Sequence, residues 1–137
     1  MKNKGFTLIE LLATIVIIAL IGGIGAIAYT KLIRQSEDRV YEAYESTMHA
    51  ETLELLTKKP QLMPANGGTK RFTLNDIQVD PINNPRNRSD LCTGSYVDVT
   101  RNDYNQSGTY VTSLTYKVCL ICGNYNSSGT NCKTYEN

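Results

Sequence analysis

Met1-Lys2-Asn3-Lys4-Gly5-Phe6-Thr7-Leu8-Ile9-Glu10, followed by an uncharged run from Leu11 to Thr30, is the stretch on which the reading of this chain turns. The run reaches the roughly 20 residues that a helix needs to cross a ~30 Å hydrocarbon layer. A secretory signal has an apolar core of about 7–15 residues and a small-residue cleavage site after it. Here the apolar core is longer, Gly22, Gly23, Gly25 and Ala26 lie inside it, and the natural break comes before it, at Gly5-Phe6. A carboxylate within a span costs roughly 2.5–3.5 kcal/mol at the bilayer centre and less near the interface. Glu10 therefore needs a partner or a purpose.

The segment Lys4-Gly5-Phe6-Thr7-Leu8-Ile9-Glu10 before an uncharged stretch resembles the processing site of type IV prepilins and of the pseudopilins of secretion and competence systems. The resemblance implies a membrane peptidase that cuts after Gly5 and methylates the new amine on Phe6. It also implies that Glu10 pairs with the N-terminus of a neighbouring subunit during assembly. The alternative for this segment is an uncleaved anchor, with Glu10 among the headgroups and Lys2 and Lys4 holding the N-terminus in the cytoplasm. Lys31 and Arg34 flank the other end, so the bias of basic residues towards the cytoplasmic side does not decide orientation alone.

The chain of 137 residues has room for one modest domain besides the span. Loss of Met1 to Gly5 removes Lys2 and Lys4 and so lowers a formal net charge of only +1 by two. DNA binding is not indicated by such a balance, because gripping phosphates takes many Lys and Arg side chains. The apolar residues are concentrated in the span, which leaves the remainder short of core. Small domains in that position commonly rely on disulfides outside the cytoplasm.

Helical periodicity continues past the span through Tyr29, Ile33, Val40, Tyr44, Met48 and Leu55, alongside Leu32, Ala43 and Leu56, with Glu37, Asp38, Arg39, Glu42 and Glu45 on other faces. Pro60 stops the pattern, and Lys58 and Lys59 suit a helix C-terminus. A helix unbroken from Phe6 to Lys59 would extend about 81 Å at ~1.5 Å per residue. Gly22, Gly23 and Gly25 favour close helix packing in a membrane; the resemblance adds that such a stretch can lose helicity within a filament.

Residues 60–91 carry Pro60, Pro64, Asn66-Gly67-Gly68, Pro81 and Pro85 and read mainly as a connecting loop, with 71–74 and 77–79 as short strands or a helical turn. Tyr96 to Val99 and Thr109 to Val118 alternate as strands, with Asn102 to Gly108 as the turn. A third strand from 71–79 would complete a small sheet packed on the helix near Tyr44, Met48 and Leu55.

All four cysteines follow residue 90. A hairpin folded about residues 105 and 106 places Cys92 opposite Cys119 to Cys122, which favours Cys92–Cys119 and Cys122–Cys132 among the three possible pairings. A slip in register exchanges the first partner. Two other chemistries compete: a structural Zn²⁺ on the four thiolates, and a redox-active Cys119-x-x-Cys122. The redox motif belongs at the start of a helix, and here it follows a strand.

His49, the only histidine, falls mid-helix, where a polar-face or helix-to-sheet contact is expected rather than catalysis. Neither a Ser-His-Asp arrangement nor a Gly-rich phosphate loop is present in the sequence. Tyr96, Tyr110 and Tyr116 occupy strand positions and are expected to pack, whereas Tyr104, Tyr125 and Tyr135 are the candidates for partner contact. Asn87-Arg88-Ser89, Asn105-Gln106-Ser107 and Asn126-Ser127-Ser128 meet the glycosylation pattern, which is short enough to arise by chance.

The expected fold is α+β: a leader (1–5), a membrane or filament-core helix (6–30), its amphipathic continuation (31–59), the loop (60–91), and a hairpin with a cysteine-stabilised C-terminal region (92–137). The expected function is that of a structural subunit of a type IV pilus or similar filament, with no enzyme activity and no cofactor. Its partners are the prepilin peptidase and methyltransferase, further copies or related pilins, the membrane and the filament assembly machinery. The precursor would cross the membrane once with its N-terminus in the cytoplasm, and the mature chain would lie in an extracytoplasmic or cell-surface filament. A minor pseudopilin of type II secretion or DNA uptake is the alternative, followed by a non-polymerising anchored binding module and, last, a thiol oxidoreductase.

Overall fold

Apolar side chains from Leu8 onward, with no proline before Pro60, allow one helix to run on: α1 spans Leu8–Lys58. The computed structural model describes residues 5–127 and 132–136; Lys2, Lys4 and Ser128 of the readings above lie outside them. The chain divides into two compact units, one up to Asp38 and one from Arg39 onward.

In the first unit α1 is apolar and bare. Ile9, Leu12, Ile15, Ile18, Leu20 and Ile24 are all more than half exposed, and none of the membrane-length apolar window is buried. The helix continues through Gly22, Gly23 and Gly25, where an added Cβ meets nothing within 4 Å.

The second unit is a head in which α1 lies on a four-stranded antiparallel sheet. The strands are β1 (Thr69–Thr73), β4 (Tyr96–Gln106), β5 (Thr109–Cys119) and β8 (Lys133–Glu136), in the order β1-β4-β5-β8. Between them come a 3-10 turn (Pro60–Leu62), α2 (Leu74–Ile77), a ribbon of β2 (Asn83–Asn84) and β3 (Asn87–Leu91), and a second ribbon of β6 (Ile121–Cys122) and β7 (Tyr125–Asn126). The register sets Phe72 opposite Val97, Val97 opposite Val118, and Val99 opposite Tyr116, so the centre of one face of the sheet is apolar. Against it α1 buries Tyr41, Tyr44, Met48 and Leu56.

Several expectations shift. The buried helix face is set by Tyr41, Tyr44, Met48, Thr52 and Leu56, while Leu55 is half-buried and Val40 is 43% exposed. Tyr44, Met48 and Leu56 are buried as expected; Tyr41 and Thr52 join them, and the Tyr41 hydroxyl is satisfied in the core by donating to Asn84 Oδ1. The supposed turn over 102–108 contracts to Ser107-Gly108, both with positive φ (54° and 88°), the backbone a two-residue hairpin needs. The ladder therefore runs unbroken to Gln106↔Thr109.

Residues 60–91 are not mainly loop. They supply β1, α2, β2 and β3, and bury Phe72, Leu74, Ile77 and Asn84. The expected third strand is β1, ending at Thr73; Asp76 Oδ2 there accepts from Thr73 N–H and Oγ1, both at 2.8 Å, and opens α2 with a capping box.

Candidate functional site

Two groups of residues carry the chemistry, one in each unit. At the head of α1, Gly5 to Thr7 precede the helix, and Thr7 O accepts from the N–H of Glu10 at 3.0 Å and of Leu11 at 3.2 Å. Thr7 Oγ1 also donates to Glu10 Oε2 at 3.4 Å. Thr7-Leu8-Ile9-Glu10 thus has the Thr-x-x-Glu form of a helix start, a signal the sequence carries and which points to Thr7 as an unanticipated partner of Glu10. The carboxylate sits in the first helical turn, where the positive end of the helix dipole favours it.

Among the described residues, nothing demands glycine at position 5. A Cβ added there meets no atom within 4 Å. Phe6 and Leu8, 76% and 83% exposed, are likewise unsupported by packing within the chain. The structure brings Gly5, Phe6 and Glu10 together within one short segment, all of them exposed.

In the head, the four cysteines are joined as Cys92–Cys122 and Cys119–Cys132. The expected Cys92–Cys119 and Cys122–Cys132 are therefore wrong, and the register says why. With the turn at Ser107-Gly108, Tyr96 faces Cys119, so Cys92, four residues earlier, is carried past Cys119 to Cys122. Val118 faces Lys133, which makes Cys119 and Cys132 the next pair along that ladder. Cys119 and Cys122 hold different partners, so this C-x-x-C does not close on itself as a redox dithiol would.

Gly123 belongs to the tight ribbon turn after Cys122. Its φ is +55°, and an added Cβ would come within 2.3 Å of Asp90 Oδ2, so a side chain is excluded on two counts. Asn84, 3% exposed, was not foreseen: its Oδ1 accepts from the Tyr41 hydroxyl and from Arg86 N–H, and its Nδ2 donates to Cys122 O. One side chain thus ties helix, loop and disulfide together.

Tyr110, Tyr125 and Tyr135 depart from the roles expected of them, while Tyr104 and Tyr116 keep theirs. Tyr125 stacks on Tyr41 with centroids 4.0 Å apart, and Tyr135 stacks on His49 at 4.3 Å. Tyr110, expected to pack, is 83% exposed, and Tyr104 is 49% exposed. Tyr116 is buried as expected, its ring edge-on to His49 at 4.7 Å.

His49 makes the helix-to-sheet contact. Its Nε2 and the hydroxyls of Tyr116 and Tyr135 are buried without a hydrogen-bond partner among the described residues. Burial holds the imidazole below its ordinary pKa. One helical turn away, burial first and Glu42 second push the Glu45 carboxyl up, against the pull of Lys133.

The signs oppose each other. A lowered histidine pKa stabilises the fold above the ordinary value of ~6.5, and that contribution is lost as pH falls through the folded value. A raised glutamate pKa stabilises at low pH, and the contribution is lost as pH rises through the folded value. Replacing His49 with Phe keeps the stack and leaves Glu45 in both proteins. Acidification from pH 7.5 to 5 is therefore expected to lower the melting temperature of the unsubstituted chain relative to H49F; equal changes would contradict the assignment.

Compared with known families, residues 1–26 match the prokaryotic N-terminal methylation motif. No curated protein and no solved structure matches the chain.

Proposed function

We propose, from the premise that residues 1–26 are the processing signal of a type IV prepilin or pseudopilin, that this chain is a structural subunit of a type IV pilus or pilus-like filament. The precursor sits in the membrane through the apolar part of α1, with its N-terminus in the cytoplasm. Prepilin peptidase cuts between Gly5 and Phe6 and methylates the Phe6 amine. The bared helices then gather into the core of an extracytoplasmic filament built from further copies or related pilins, with the help of the assembly machinery.

The observation that carries the reading is the combination of this motif with an apolar helix that the chain itself leaves uncovered. Lipid covers it in the precursor and neighbouring helices cover it in the filament. Glu10 suits the second environment. Alone in lipid its carboxylate is costly, whereas beside the charged amine of a neighbouring Phe6 it gains a charge-assisted hydrogen bond. The open space at Gly5 fits a residue selected by a peptidase rather than by packing. The motif is one of structural subunits, and no catalytic role is assigned to any residue.

Mass spectrometry of the protein isolated from its own cells tests the processing step. The expected mature chain begins at Phe6 and carries one methyl group on its amine. An intact Met1–Gly5 segment would refute the reading.

A further inference from the structure

The β4–β5 hairpin is longer than the elements beside it. On one side β1 covers β4 from Tyr96 to Thr100. Residues 66–68 prolong that cover: Gly67 N–H donates to Arg101 O at 2.8 Å, Arg101 N–H to Gly68 O at 3.1 Å, and Asp103 N–H to Asn66 Oδ1 at 2.8 Å. On the other side β8 covers β5 only from Thr115 to Val118. Among the described residues, 109–114 of β5 have no strand beside them on that edge.

Sheet edges are normally guarded by charge, proline or a covering segment, because their free N–H and C=O groups recruit other strands. The other exposed edges of this sheet follow the rule. β1 carries Lys70 and Arg71, and β8 carries Lys133 and Glu136. Thr109-Tyr110-Val111-Thr112-Ser113-Leu114 has no charge, proline or glycine, and half of its residues are β-branched. That is the composition of a strand that pairs readily. It also holds Tyr110, 83% exposed.

We infer that this edge takes the same edge of a second copy of the chain, the two β5 strands pairing antiparallel about Thr112. Opposed residues in a sheet share a face, so a strand that meets itself antiparallel must centre on a residue and not between two. Centring on Thr112 sets Tyr110 opposite Leu114 of the second copy, an aromatic–aliphatic cross-strand pair on the face that carries the core. An uncharged edge complements itself, since no like charges meet across the axis. A charged partner would find nothing in this stretch to select it.

The contact is two-fold and therefore closed: it joins two heads and goes no further. It does not depend on the filament reading. In a filament it would link separate assemblies rather than lengthen one.

Single cysteines placed at Val111, Thr112 or Ser113 of the full chain in native membranes, treated with a bis-maleimide that leaves disulfides intact, test the inference. The expected result is a homodimer strongest for T112C and absent for Asn102→Cys, which lies on the other strand of the hairpin. Adding Val111→Lys to T112C is expected to reduce the dimer several-fold while both native disulfides still form. Monomer alone from T112C, an equal yield from N102C, a product containing another protein, or indifference to V111K would each overturn it.

Discussion

Replacing Glu10 with alanine is expected to abolish surface filaments while leaving the precursor in the membrane and the head folded. Glu10 lies in the first turn of α1 and is exposed, so the substitution removes no core packing. What it removes is the proposed partner of a neighbouring Phe6 amine. Taking one member from a buried charge pair costs roughly 3–5 kcal/mol, because the other charge is left unpaired in an apolar surrounding. A loss of that size at each added subunit weakens assembly by more than about a hundredfold, since ~1.4 kcal/mol is a factor of ten. Imaging of sheared surface material, alongside the amount of chain in the membrane, reads the effect. Filaments at normal abundance containing the variant would contradict the assembly role. Glu10→Gln separates charge from shape, and it too is expected to fail, since the carboxamide can accept a hydrogen bond from the ammonium but cannot neutralise its charge.

The second large effect belongs to the head. Removing the Cys92–Cys122 bridge by a double change to alanine frees a loop with a sequence separation of 30. In the chain-entropy picture that bridge contributes about 3.5 kcal/mol, and the Cys119–Cys132 bridge, with a separation of 13, about 3 kcal/mol. Against the roughly 5–15 kcal/mol that holds an ordinary domain, either loss is large. At about 4–8 °C per kcal/mol for a small domain, the double variant is expected to melt roughly 15 °C or more below the unsubstituted chain. A calorimetric or circular dichroism melt of the full chain in detergent measures this. A shift of under about 5 °C would mean that the core of Met48, Leu56, Phe72, Val97 and Tyr116 carries the head without the bridge.

The sequence was most legible where a single constraint acts alone. In the span, hydropathy alone sets the element, and the helix starts within two residues of the expected Phe6 and stops at Lys58, one residue short of the expected Lys59. Hairpin existence was readable from β-branched alternation. Its extent was not, because Asn102, Asp103 and Asn105 favour turns locally yet are held in the ladder by pairing with Ser113, Thr112 and Tyr110. That misplacement moved the turn by two residues and, through the register, misdirected the disulfides. The segment from 60 to 91 hid for another reason. Its prolines and glycines are real breaks, but between them short elements bury single apolar residues such as Phe72 and Ile77, too few to make a period. β8 offers only four residues, and its partners, β5 in the sheet and His49 against Tyr135, come from distant parts of the chain. At the candidate site, Gly5, Phe6 and Glu10 were readable because they are adjacent in sequence; Asn84 was not, since its partners come from distant parts of the chain.

Timing gives the Ser107-Gly108 turn a further role. Hairpins close in about 1–10 μs, whereas disulfides form over seconds to hours. The turn therefore has ample time to zip β4 against β5 before any sulfur is oxidised. By then the ladder has already delivered Cys92 to Cys122 and left Cys119 for the returning C-terminal strand. Two residues with positive φ thus fix the register that goes with one bridge pattern of three, without touching a cysteine.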